Sequence, residues 1–249
     1  MTVGSRHRIP ILMAALMLSA CAARPDGEVA ALSAAPPEAT EPLVLFTGGD
    51  ALELEWRKVR VWRDASFALV PDGQRVVIGA EAEGSSAALI RRVDFDVDDC
   101  PIVEWEWRID ALAEPADLSS RRSEDTPASI LFAFGDPGSL TNPDDVPTLR
   151  YAWATDTNAV GSVIDSPYFP GILRTLVVRS GTGALGTWVT ERRNLREDYA
   201  QVFGGRPADD VEIMALFTDS DHGEQRAEAR YASARALCVD LPDGPSIFD

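Results

Sequence analysis

The stretch Val103-Glu104-Trp105-Glu106-Trp107-Arg108-Ile109-Asp110 alternates between apolar and charged residues without a break. Successive side chains leave a β-strand on opposite faces, so a period of two predicts a half-buried strand. Val103, Trp105, Trp107 and Ile109 then point into a core, and Glu104, Glu106, Arg108 and Asp110 share the wet face. Outward from there, the runs at 130–134, 151–154, 176–178 and 211–217 are apolar on both faces, short, and bounded by Gly, Pro or Asp. Such runs suit the central strands of two packed sheets. Residues 74–80 and 87–93 are expected to pair as a hairpin, and the stretch 228–239, whose alanines also suit a helix, reads in this β-rich context as a closing strand. One helix is predicted up to Phe203: Asn194 caps it, Glu197 can return the bond, and Gly204 ends it. About ten strands with one short helix and no β–α alternation predict an all-β fold, an antiparallel β-sandwich of the jelly-roll kind.

Composition narrows the function classes. The chain has 249 residues and a formal net charge of −17, which argues against nucleic-acid binding because phosphate recognition needs clustered cations. With 45% hydrophobic and 25% charged residues it has the balance of a globular protein. His7 and His222 are the only histidines, which removes most His-rich metal sites. No nucleophile motif accompanies His222, so a hydrolase triad is not expected. From residue 43 to residue 249 no second linker divides the chain, and one domain is expected there.

At the N-terminus, Arg6, His7 and Arg8 precede an apolar run at 9–18 broken only by Pro10. That run is too short for a membrane-spanning helix, which needs about 20 apolar residues, and fits the core of a signal peptide. It ends in Leu18-Ser19-Ala20-Cys21, which resembles the lipobox of bacterial lipoproteins. The resemblance implies removal of residues 1–20 and acylation of Cys21, a membrane anchor; an ordinary cleaved secretory signal is the alternative. Residues 21–42, rich in Ala and Pro, are expected to form a disordered tether. In a host with two membranes, Ala22 after the cysteine resembles the signal for the outer membrane. Cys100 and Cys238 would then face an oxidising compartment, either as a disulfide or as two separate buried cysteines.

A wider pattern follows in order along the chain. It comprises Pro101-Ile102-Val103-Glu104-Trp105-Glu106-Trp107, Ser123-Glu124-Asp125 ahead of Ile130-Leu131-Phe132-Ala133-Phe134, and Tyr151-Ala152-Trp153-Ala154. Gly186-Thr187-Trp188, Arg193-Asn194, Asp198-Tyr199 with Phe203-Gly204, and Phe217-Thr218-Asp219-Ser220-Asp221-His222-Gly223 through Ala229-Arg230-Tyr231 complete it. These blocks resemble a bacterial family known as domain of unknown function 3047, over most of residues 43–240. The chain departs where His222 replaces a Thr or Asn, and where Ala232-Ser233 replaces a Gly-Asp pair. The resemblance implies an exported β-sandwich and no particular activity.

Candidate chemistry falls into three groups. Asp219, Asp221 and Glu224 lie in a glycine-containing turn and could hold one calcium ion, which takes oxygen ligands; otherwise their side chains bond backbone amides. Glu104 and Glu106 with Arg108 beside them, and Glu124 and Asp125 before the next strand, could line a groove with paired carboxylates, as glycoside hydrolysis requires. The alternative is a solvated face salt-bridged to arginine. Tyr151 and Trp153, followed by Asp156, Thr157 and Asn158, resemble the aromatic and polar mixture that binds sugar rings, unless both aromatics are core. The long polar loops at 111–127, 136–147 and 156–171 offer further binding surface. Together these features predict a non-enzymatic, lipid-anchored envelope protein that binds a glycan or another envelope component, an envelope protein among them. Competing expectations are a carboxylate-dependent enzyme acting on polysaccharide, and a purely structural or assembly role.

Overall fold

The structure is a computed structural model and describes residues 41–50, 52–138, 145–223 and 225–239. The signal segment, Cys21, the tether up to residue 40, and Glu224 lie outside the described residues. In chain order the elements are β1 (Leu43–Thr47), α1 (Leu52–Glu55), β2 (Arg57–Trp62), β3 (Ser66–Asp72), β4 (Arg75–Glu83), β5 (Ser86–Phe95), β6 (Ile102–Ala111) and β7 (Thr126–Phe134). There follow β8 (Thr148–Ala154), β9 (Val163–Asp165), β10 (Leu173–Ser180), β11 (Val189–Asn194), α2 (Leu195–Phe203), β12 (Val211–Asp219) and β13 (Arg226–Leu237).

Two sheets form a β-sandwich. One is six-stranded, in the order β11-β6-β13-β4-β3 with β1 also paired to β13; the other is seven-stranded, in the order β2-β5-β12-β7-β8-β10-β9. Strand β6 reproduces its sequence alternation: Val103, Trp105, Trp107 and Ile109 are buried, and the residues between them are half-buried. The four runs that are apolar on both faces became β7, β8, β10 and β12, neighbours in the second sheet. Between the sheets the rings interlock, with Trp105 centred 5.1 Å from Tyr151 and Trp107 5.8 Å from Trp153. Each such pair adds about 0.5–1.5 kcal/mol beyond the area it buries. The Tyr151 hydroxyl donates to Asp198 at 2.7 Å and the Trp153 indole to the Gly181 carbonyl at 3.0 Å, so both polar ends are satisfied inside.

Several details differ from expectation. Residues 74–80 and 87–93 do not form a hairpin, because β4 pairs with β3 and β13 in one sheet while β5 pairs with β2 and β12 in the other. The turn between them crosses the sandwich, and a period of two cannot say which sheet a strand joins. One pair, β8 with β10, is parallel in an otherwise antiparallel pairing scheme. The helix after Asn194 is present, its cap accepting the Glu197 N–H at 3.1 Å, and the short α1 is a second helix. Cys100, just before β6, is joined by a disulfide to Cys238, just after β13. That bond links the outer ends of two adjacent strands of the six-stranded sheet.

Candidate functional site

A free antiparallel sheet face is normally polar. The outer face of the seven-stranded sheet is not: Ala88 from β5, Leu131 from β7 and Phe217 from β12 lie side by side there, outside the inter-sheet core. They floor an open cleft of about 570 Å³, within the range of small-ligand sites. Trp62 at the end of β2 forms one wall and is 56% exposed. The segment after β9 brings Tyr168 and Phe169 to another.

The polar groups of the cleft gather at one end. Arg150, on the outer face of β8, is 2% exposed. Its guanidinium donates to Glu124 Oε1 at 2.6 Å and to the Thr175 hydroxyl at 2.6 Å. A buried charge persists only when paired in this way. Beside it, Asp125 clasps the turn after β12, accepting the N–H groups of His222 at 3.1 Å and Gly223 at 3.0 Å. Asp219 Oδ1 accepts the Asp221 N–H at 3.1 Å, and Asp221 Oδ2 accepts the Ser86 hydroxyl at 2.9 Å.

His222 ties this turn to the rim. Its Nδ1 lies 2.8 Å from Asp221 and 3.2 Å from Asp125. Carboxylates only accept, so Nδ1 carries the hydrogen. Its Nε2 lies 3.0 Å from the Tyr168 hydroxyl, which donates to the Arg121 carbonyl at 2.9 Å. Burial, followed by the negative charges of Asp221, Asp125 and Glu124, pushes the Asp219 carboxyl well above the usual carboxylate range, against the Asp221 N–H that favours ionisation. Burial and then the charges of Glu124, Asp221 and Asp219 likewise push the Tyr168 phenol up.

The structure redistributes the residues singled out from sequence. Glu124, Asp125, Asp219 and Asp221, assigned there to two different chemistries, meet at this end of the cleft. Glu104 and Glu106 do not join them. They lie on the outer face of the six-stranded sheet, Glu104 bridged by Arg192 and Arg235, and Glu106 by Arg75. Burial would raise the Glu104 carboxyl, but Arg235 and Arg192 hold it below the usual range. Tyr151 and Trp153 are 0% and 1% exposed and therefore cannot stack on a sugar; the platform reading is corrected, because their strand faces the opposite sheet. Asp156 is exposed outside the cleft, packed so closely on Gly181 that a Cβ there would collide with it. Asn158 is also outside the cleft lining and braces a loop, accepting the Leu118 N–H at 2.9 Å and donating to Asp117 at 3.1 Å.

As for metal ligands, Asp125, Asp221 and His222 place one donor atom each within 4.8 Å of one another. Of the set expected for calcium only Asp221 is in this group, Glu224 lying outside the described residues, and the imidazole is a ligand that suits transition metals better. In the observed arrangement the His222 Nδ1 hydrogen occupies the space between the carboxylates. Arg150, Trp62 and Tyr168 were not anticipated from sequence. Arg150 did leave a signal, a lone charge at the edge of an apolar strand, and such a charge is rarely buried without a partner.

No curated protein matches the sequence. Among solved structures, a family 11 carbohydrate-binding module from Clostridium thermocellum, in complex with a β-1,3-1,4-mixed-linked tetrasaccharide, is similar with a TM-score of 0.42 at 7% identity, over 83% of this chain and 98% of that one. The mannan-recognising module TmCBM27 is similar with a TM-score of 0.36 at 10% identity, over 82% and 99% of the two chains. The carbohydrate recognition domain of Emp47p gives a TM-score of 0.40 at 14% identity, over 76% and 90%. Likeness at this level carries no argument about what the cleft holds. The family match is of another order: residues 54–235, most of the sandwich, fit one family throughout, and the chain belongs to the family described as Protein of unknown function (DUF3047).

Proposed function

We propose that this chain is a lipid-anchored protein of the cell envelope whose cleft holds a segment of a glycan without transforming it. The observation that carries the reading is the cleft itself, an apolar floor of Ala88, Leu131 and Phe217 beside an exposed Trp62, with polar groups crowded at one end. A pyranose ring has the matching duality, a C–H face that stacks on aromatic or apolar surface and a rim of hydroxyls that hydrogen-bond to carboxylates. Buried apolar contact is worth about 25 cal/mol per Å², while the polar groups fix orientation. The acidic surface keeps such a module off an anionic membrane, and the lipid on Cys21 would supply the attachment, since two or more acyl chains anchor stably.

A glycan array probed with the mature chain tests the binding. Specific binding that Trp62→Ala weakens about ten-fold is expected, in keeping with the loss of one stacked aromatic. Absence of any binding, or binding indifferent to Trp62, would overturn the reading. Mass spectrometry of the N-terminal peptide from the native host tests the acylation of Cys21.

A further inference from the structure

Within that cleft the charges do not balance. Glu124, Asp219 and Asp221 line it, Asp125 adjoins them beneath the His222 turn, and Arg150 forms an ion pair with Glu124. Three of the four carboxylates are occupied by the protein: Glu124 by Arg150, Asp125 by two backbone N–H groups and the His222 ring, Asp221 by Ser86 and the same ring. Asp219 is different. It is 7% exposed and lines the cleft, and only its Oδ1 accepts a hydrogen bond from a described residue. Its Oδ2 accepts no hydrogen bond from a described residue, in a side chain that is otherwise largely withdrawn from water. A largely desolvated carboxylate with one oxygen left without a protein donor gains from a donor that a ligand brings.

Building on the glycan reading, we infer that the cleft selects a glycan bearing a free primary ammonium group, as on a deacetylated hexosamine, and seats that ammonium at Asp219 Oδ2. An ammonium offers three donors and a compact positive charge. It satisfies the empty oxygen and offsets the excess of negative charge, and the exposed Trp62 ring favours cations over its face as well as sugars. Anionic sugars meet repulsion from the same carboxylates. A metal ion is a poorer fit to this arrangement, because the His222 Nδ1 hydrogen already bridges Asp221 and Asp125 and leaves no lone pair there.

Isothermal titration of the mature chain with 1,4-diaminobutane and with four tetramers separates the possibilities, the tetramers being β-1,4-glucosamine, its N-acetylated form, cellotetraose and tetragalacturonate. The amine tetramer is expected to bind at least about ten-fold more tightly than its acetylated form, since charge-assisted hydrogen bonds are about twice as strong as neutral ones. Asp219→Asn is expected to bring the two within about two-fold of each other, and EDTA to change nothing. Acetylation alters only the ligand, so the comparison stands on the wild-type chain even where the variant does not fold. Equal or tighter binding of an acetylated, neutral or anionic tetramer overturns the ammonium inference and leaves the glycan reading intact. Binding of 1,4-diaminobutane sensitive to Asp219→Asn, with no tetramer bound, upholds the ammonium site and overturns the glycan reading. Loss of amine binding in EDTA overturns the inference in favour of a metal bridge, and absence of binding by all probes overturns both readings.

Discussion

The two outer faces of the sandwich carry the same kinds of residue and do opposite things with them. On the six-stranded sheet, Asp72, Glu104, Glu106 and Asp110 interleave with Arg75, Arg108, Arg192, Arg230 and Arg235, and each of these four acids meets a guanidinium. Trp188 caps this lattice, with Arg75 4.2 Å from its ring and its indole donating to Asp72 at 2.8 Å. On the seven-stranded sheet, one buried arginine and several carboxylates gather at one end of an apolar floor. Charge that is matched in place closes a surface. Charge that is left over, beside exposed apolar area, opens one to a partner. Carboxylates by themselves therefore do not single out a surface; their unmatched excess in a concave setting is what distinguishes these two faces.

The comparison can be broken by experiment. Its largest expected effect is at Arg150. Arg150→Met leaves Glu124 buried and unpaired and should lower unfolding stability by about 3–5 kcal/mol, with much of the loss restored in the double variant with Glu124→Gln. Urea denaturation measures both, and an effect below 1 kcal/mol would place the pair in water. Reduction of Cys100–Cys238 comes next, at about 2–4 kcal/mol, because the bond closes a long loop of the unfolded chain. Since it lies on the six-stranded sheet, glycan binding by the reduced protein should persist wherever the chain is still folded.

A third effect depends on pH. The folded Asp219 holds its proton more tightly than the unfolded chain does, so its contribution to stability is full below the ordinary carboxylate range and is lost as pH rises through its folded value. Asp219→Asn should therefore be more stable than wild type at neutral pH, with the gap closing below about pH 4. Thermal melts across that range that run parallel would contradict it. The smallest effect belongs to the matched face: Glu104→Gln should change stability by no more than about 1 kcal/mol and leave ligand binding untouched. A loss of binding there would dissolve the distinction between the two faces.

Legibility in the sequence follows the same division. Strand β6 could be read directly, because alternation reports a half-buried sheet face with no knowledge of the partner strands. Capping by Asn194 was legible because it is a local bond. Assignment of β4 and β5 to different sheets was not, since both patterns suit either side of a crossing turn. The cleft was legible only in fragments. Glu124 and Asp125 precede β7, whereas Asp219 and Asp221 end β12, and β7 and β12 are neighbours only after the sheet forms. Trp62 and Tyr168 carry no local pattern to distinguish a rim aromatic from a core one, which is also why Tyr151 and Trp153 could be taken for a platform.

Strand β13 has a bearing on timing. It pairs with β6, β4 and β1, so the middle of the six-stranded sheet is its last strand in chain order. Until residues 226–237 are available, β6 and β4 have no neighbour to close them together, and the inner face carrying Trp105 and Trp107 has no complete sheet behind it. Pairings over such sequence distances make folding slow. A chain synthesised from its N-terminus therefore completes this sheet late, when residues 226–237 supply the strand that joins β6 to β4.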